Sequence, residues 1–221
     1  MSDVNLILVG VNHKTTPVEI REKLAFTKGK IEESVDLIFK FPDIIEHTIL
    51  STCNRVEIYA RADCQDSAIS SIKQFICDFH GLSYLELEDH FYSYRNEDAV
   101  EHLFRVSSSL DSMVLGEAQI LGQVKDAYSL AKDLRSTGLV LNQLFERAFS
   151  IAKKVRDETG IAERSVSISS AAVELAQKIF DDLENRTVML VGTGEMAELA
   201  AKHLISYGVK TVYVTSRTYA H

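Results

Sequence analysis

Apolar residues run without a break from Leu6 to Val11 and stop at Asn12 and His13, the pattern of a buried strand. Pro17 opens a helical stretch reaching Phe26, and a second runs from about Lys30 to Phe41 with Ile31, Val35, Ile38 and Phe39 on one face. Two short strands follow, Glu46 to Ser51 and Val56 to Ala60, joined by Thr52-Cys53-Asn54-Arg55. In the second of them Val56, Ile58 and Ala60 alternate with Glu57, Tyr59 and Arg61, which predicts one buried and one wet face. Helical spacing returns at Ala68, Ile72, Phe75, Ile76 and Phe79 and ends at Gly81, and a further strand is expected around Phe91 to Tyr94. The order β-α-β-β-α-β is that of the ferredoxin-like split unit, so an α+β fold is predicted for this part of the chain.

After Asn96 the period stays helical. Leu141, Leu144, Phe145, Ala148, Ala152 and Val155 share one face between Gly138 and Gly160, which predicts a long connecting helix. Ser165 to Phe180 reads as one more helix. Strand Thr187 to Val191, helix Met196 to Tyr207 and strand Thr211 to Thr215 then make a single β-α-β unit, the first part of a Rossmann-type α/β domain. Two domains are expected, residues 1–160 and 161–221. The second is shorter than a dinucleotide-binding fold requires, so a piece of a longer protein is expected.

Composition narrows the class. Of 221 residues, 24 are basic and 32 acidic, a formal charge of −8 that argues against a general nucleic-acid binder. Hydrophobic residues make up 46% and charged residues 25%, enough apolar content for a sizeable core. Cys53, Cys64 and Cys77 form no CxxC pair and leave an odd thiol under any disulfide scheme, which fits a reduced, cytoplasmic protein. The N-terminus lacks a positive signal region and no run approaches a membrane span, so neither export nor embedding is expected.

Gly192-Thr193-Gly194-Glu195-Met196-Ala197 follows a strand and opens a helix in the G-x-G-x-x-A form of the dinucleotide fingerprint, where glycine lets the backbone approach a pyrophosphate at the helix N-terminus. The next strand ends in Thr215-Ser216-Arg217-Thr218, with an arginine in place of the carboxylate that would hold the ribose of NAD. That suits the 2′-phosphate of NADP, the alternative being a surface arginine. Cys53 sits in a turn with Arg55 two residues on, where a guanidinium would favour the thiolate. It is a candidate nucleophile, against the alternative of a small buried hydrophobe. His102 could assist proton transfer or simply face solvent on its helix, and Gln119 and Gln123 share a helical face suited to a polar substrate or to water. The histidines show no metal-ligand spacing.

Val11-Asn12-His13-Lys14-Thr15, Ser51-Thr52-Cys53-Asn54-Arg55, His102-Leu103-Phe104-Arg105, Leu110-Asp111-Ser112-Met113, Gly116-Glu117-Ala118-Gln119-Ile120, Ser165-Val166-Ser167-Ile168 and Gly192-Thr193-Gly194-Glu195-Met196 span nearly the whole chain. In this order they resemble the glutamyl-tRNA reductase family. Ala118 stands where that family usually has proline, and Ser216 where asparagine usually precedes the arginine. The resemblance implies a catalytic domain, a spinal helix, an NADPH-binding domain and a C-terminal dimerisation domain outside this chain. It further implies that Cys53 takes glutamate from glutamyl-tRNA as a thioester, which NADPH reduces to glutamate-1-semialdehyde, the first step of tetrapyrrole synthesis. By the same resemblance Arg55 clamps a substrate carboxylate, Thr52, Asn54, Ser112, Glu117, Gln119 and Gln123 line the glutamate pocket, and His102 serves recognition or proton transfer. A homodimer and an aminomutase that accepts the aldehyde are the partners implied. The acidic net charge leaves tRNA contacts to local patches or to regions beyond this chain. Other readings of the residues are a reductase of small acyl thioesters and a nucleotide-sensing module without catalysis.

Overall fold

A computed structural model describes residues 5–117, 119–161 and 168–216. Ala118, the segment 162–167 that would open the helix expected from Ser165, and Arg217 lie outside the described residues. The chain divides into two compact units, residues 1–162 and 163–221.

The first unit is built on an antiparallel sheet of β1 (Leu6–Asn12), β2 (Ile44–Ser51), β3 (Arg55–Ala62) and β4 (Tyr92–Arg95), in the order β2-β3-β1-β4. This is the split β-α-β arrangement expected from the pattern. Between β1 and β2 run α1 (Val18–Leu24) and α2 (Lys28–Ile38), the latter capped by Thr27, whose hydroxyl accepts from the Lys30 amide. Helix α3 (Gln65–His80) follows β3 and stops at Gly81 in the left-handed conformation. One short helix, α4 (Tyr84–Leu87), was not signalled by periodicity. Ile7, Val9, Val11, Val56, Ile58 and Ala60 pack with these helices as one core.

The other face of the sheet is covered by α5 (Asn96–Ser107), α6 (Gln119–Asp133) and α7 (Leu139–Thr159). Leu6, Leu8, Leu50 and Tyr59 meet Leu103, Val106, Val124, Leu141 and Phe145 there. The wet face expected for β3 is therefore wrong: Glu57 and Tyr59 are both fully buried. Polar alternation marks a face only by residue type, and here the polar side chains satisfy one another under the second layer of helices.

Glu46 ties the sheet to α7. Its carboxylate accepts from the amides of Gly138 (2.9 Å), Val140 (3.2 Å) and Leu141 (2.8 Å), doing for the start of the helix what no local side chain does. Glu46→Ala is expected to cost about 1–3 kcal/mol, and Glu46→Gln less, because it still offers an acceptor to these amides. Urea unfolding checks this, and a cost below about 0.5 kcal/mol for alanine would contradict the capping role.

His47, next to it, is 1% exposed and lies against Phe39 with ring centroids 4.7 Å apart. Burial lowers its pKa to about 4 from an ordinary 6.5. Between those values the unfolded chain binds a proton that the folded one refuses, so stability present above about pH 6.5 is lost as pH falls towards 4. At pH 5 the loss should be about 2 kcal/mol relative to pH 7. His47→Phe should flatten that slope in urea titrations, and an unchanged slope would exclude His47 as its source.

The second unit pairs β5 (Thr187–Val191) and β6 (Thr211–Thr215) in parallel, with Thr187 opposite Thr211. Helices α8 (Ile168–Phe180) and α9 (Glu195–Ser206) accompany them around a small core of Val173, Leu183, Leu204 and Val209. The fingerprint lies as expected, in the turn from β5 into α9.

Candidate active site

Thr52 shapes the turn between β2 and β3. Its hydroxyl accepts from the amides of Asn54 and Arg55 (both 3.1 Å), and its own amide donates to the Arg55 carbonyl (2.8 Å). Cys53 is carried at the exposed tip. Two neighbours brace the loop: the His13 amide donates to the Asn54 carbonyl (2.9 Å), and Arg21 of α1 donates through Nη1 to the Cys53 carbonyl and to Asn54 Oδ1 (both 3.1 Å).

Arg55 was expected beside the thiol, and the structure corrects this. Its side chain is 1% exposed and reaches under the sheet, where Nη1 donates to Glu57 Oε1 (2.8 Å) and Asp111 Oδ2 (3.3 Å) and Nη2 to the Asp111 carbonyl. Strand alternation is the cause: residues 55, 57 and 59 share a face, so the arginine joins Glu57 rather than its neighbour in sequence. The guanidinium that hydrogen-bonds the cysteine turn is that of Arg21.

Glu57 is the centre of the buried cluster. Besides Arg55, it accepts from Tyr59 (2.7 Å), Tyr92 (2.5 Å) and His102 Nε2 (2.8 Å). Burial pushes its carboxyl up, but Arg55, then His102 and Tyr92, outweigh burial and hold it well below the usual carboxylate range. Burial and the adjacent carboxylate raise Tyr59 and Tyr92 well above the ordinary phenol, so both remain donors. Gly10 faces Glu57 across β1 and β3, and a Cβ there would lie 2.8 Å from Glu57 Cγ, so glycine makes room for the cluster.

An open pocket of about 420 Å³ lies over this cluster, with His102, Tyr92, Asn12 and Asp111 among its walls. Lys14 closes one end through an ion pair with Asp111. Burial raises the Asp111 carboxyl, while the Lys14 hydrogen bond and the Arg55 charge bring it below its ordinary value. Residues 108–117 form the adjoining loop, held by Arg156 of α7, whose Nη2 donates to Ser109 Oγ and to the Glu117 carbonyl (both 3.3 Å). Ser112 in this loop has a buried hydroxyl with no partner among the described residues.

The structure thus brings His102 and Arg55 together through Glu57, and sets Thr52, Cys53 and Asn54 in one turn. Ser112, Glu117 and Gln119 follow one another at the loop leading into α6, each half-buried. Gln123 stands apart: it lines a different pocket, together with Ser51. Sequence reasoning missed Glu57, Tyr92, Asp111 and Lys14 as site residues, and Arg21 as a brace. An acidic residue in a strand opposite a glycine was the one available signal for Glu57.

In the second unit, Gly192 and Thr193 form the turn, Gly194 precedes α9, and Glu195, Met196 and Ala197 are its first residues. Gly192 has φ 118°, which favours glycine, and a Cβ on either glycine would meet nothing within 4 Å. Open space above a helix N-terminus is what a dinucleotide pyrophosphate needs, so these residues fit the group. The expected 2′-phosphate contact, Arg217, lies outside the described residues.

Among the described residues, no helix is long and apolar enough to cross a membrane. Residues 9–159 match the model of the glutamyl-tRNA(Glu) reductase N-terminal domain, and residues 174–221 match that of shikimate/quinate 5-dehydrogenase. Glutamyl-tRNA reductases from Geotalea uraniireducens and Geobacter sulfurreducens are 53% and 51% identical to the chain over 216 residues, covering 98% of it and 50% of each relative. The solved glutamyl-tRNA reductase from Methanopyrus kandleri superposes with a TM-score of 0.64 at 40% identity, over 99% of this chain and 50% of that one. The chain spans about half the length of the curated relatives it matches. With the family model covering most of its length and the split sheet, cysteine turn and glycine-rich turn in place, the chain belongs to the glutamyl-tRNA reductase family.

Proposed function

We propose that the protein takes part in the NADPH-dependent reduction of glutamyl-tRNA to glutamate-1-semialdehyde through a thioester on Cys53. The observation that carries this reading is the exposed Cys53 on a turn built by Thr52 and braced by Arg21, in a chain of this family. Cys53 Sγ attacks the ester carbonyl of the glutamyl group. A C–S bond forms, the C–O bond to ribose breaks, and the ribose oxygen leaves with the proton of the thiol. Lys14 and Arg55 supply positive charge for the glutamyl carboxylate, which replaces Asp111 on Arg55.

His102 donates Nε2–H to the ionised Glu57, which fixes the orientation of its ring in the pocket wall. Thr52, Asn54, Ser112, Glu117 and Gln119 belong to the binding surface in this reading. NADPH, when bound, supplies the two electrons that convert the thioester to the aldehyde. Gly192, Thr193, Gly194, Glu195, Met196 and Ala197 would hold its pyrophosphate and Arg217 its 2′-phosphate. The free cysteines and a tRNA substrate support a cytoplasmic setting in this reading. The aldehyde passes to an aminomutase, and the family's homodimer completes the assembly. Intact-protein and peptide mass spectrometry after incubation with glutamyl-tRNA tests the reading: a glutamyl adduct on Cys53 is expected, and no adduct, or one on Cys64, would overturn it.

A further inference from the structure

Beside the turn, on the side away from His102, lies a second pocket of about 460 Å³ that the proposed chemistry leaves unused. Phe26, Ile31 and Ile49 give it apolar walls, and Gln123, Asp126 and Asp133 of α6 give it a polar rim. It is joined rigidly to the nucleophile, since Ser51, which lines it, is two residues before Cys53 and accepts from the Phe26 amide (2.9 Å). The His102 pocket is joined to the same turn from the other side: Asn12 pairs with Arg55 across β1 and β3, and Asp111 accepts from Arg55. The cysteine turn therefore stands between two pockets.

An aminoacyl ester is itself two-sided. The carbonyl under attack carries the amino-acid side chain on one side and, through the ester oxygen, a nucleoside on the other. If the glutamyl group lies over His102, the leaving nucleoside departs on the far side of Cys53. Apolar walls suit the face of a purine, and carboxylates with an amide suit its exocyclic amine and ring nitrogens. Asp126 and Asp133 against Lys28 leave the rim net negative, which disfavours a phosphate and favours an uncharged nucleoside with its phosphodiester directed outward.

We propose that this pocket receives the 3′-terminal adenosine of the glutamyl-tRNA and holds it as the leaving group of acyl transfer to Cys53. The inference rests on the glutamyl-transfer reading of Cys53. Three donors separate the two: 3′-O-glutamyl-adenosine, 3′-O-glutamyl-uridine and the thiophenyl ester of glutamate, which has no nucleoside. Cys53 acylation is followed by mass on the wild type and on Ser129→Trp, which fills the pocket from an exposed position of α6.

The adenosine ester is expected to acylate the wild type about tenfold faster than the uridine ester, and Ser129→Trp to abolish the difference while leaving the thiophenyl ester within about twofold. Equal rates for the two nucleoside esters on the wild type would overturn the proposal without touching the role of Cys53, and that comparison needs no variant to fold. A preference for adenosine that survives Ser129→Trp would place the nucleoside elsewhere and overturn it too. No adduct on the wild type from any donor would defeat the Cys53 reading and this inference with it.

Discussion

Cys53→Ser is expected to abolish the glutamyl adduct and to lower release of glutamate from glutamyl-tRNA by about 10³-fold or more. A serine hydroxyl needs a base within hydrogen-bond reach to attack an ester at neutral pH. The hydrogen bonds described around the turn join main-chain groups to Arg21, Thr52 and His13, and bring no imidazole or carboxylate to residue 53. A thiol loses its proton far more readily, so the reaction needs little further help. The substitution is at an exposed tip whose shape comes from Thr52, so stability should change by less than about 0.5 kcal/mol. Cys64→Ser, also at an exposed position, serves as the control and should leave the rate unchanged. The expectation fails if the serine variant still accumulates an adduct or keeps the rate within tenfold of the parent.

What the sequence made legible was periodicity and punctuation. Leu6 to Val11 signalled the central strand because every position of β1 is buried, and Gly81 and Gly160 marked the ends of α3 and α7 because both adopt left-handed backbone there. The cysteine turn and the glycine-rich turn were legible because both depend on short-range geometry. The reach of Arg55 was not. Its partners Glu57 and Asp111 are brought to it by strand alternation and by the loop after α5, and the second of these is 56 residues away. For the same reason Glu57 and Tyr59 looked solvent-facing: nothing local records that α5, α6 and α7 will cover that face. Gln123 was grouped with Gln119 by helical spacing, yet Gln123 lines a pocket beside β2 and not the one over His102, because α6 packs along that strand.

The largest stability effect is expected at Glu57. Its carboxylate is fully buried and answers four donors, so Glu57→Gln leaves the Arg55 charge under the sheet with Asp111 as its remaining carboxylate and takes the anionic acceptor from His102. Breaking a buried pair by removing one partner costs about 3–5 kcal/mol, because the surviving charge stays desolvated. The pH dependence has a definite sign. The folded pKa lies below the ordinary 4.5, so the unfolded chain takes up a proton first; the stabilisation is complete above about pH 4.5 and drains away as pH falls below it. Glu57→Gln should therefore be less stable at pH 7 and show a shallower acid limb below pH 4.5. Because the same variant also perturbs His102, activity loss alone would not separate roles, whereas the double variant Arg55→Met with Glu57→Leu should recover a large part of the stability while remaining inactive. Urea unfolding of Glu57→Gln, of the double variant and of its two singles, Arg55→Met and Glu57→Leu, at pH 7 and pH 4 measures all of this. A cost below about 1 kcal/mol for Glu57→Gln, or a double variant less stable than the sum of its singles, would show that the cluster is not held together by the Arg55–Glu57 charge pair.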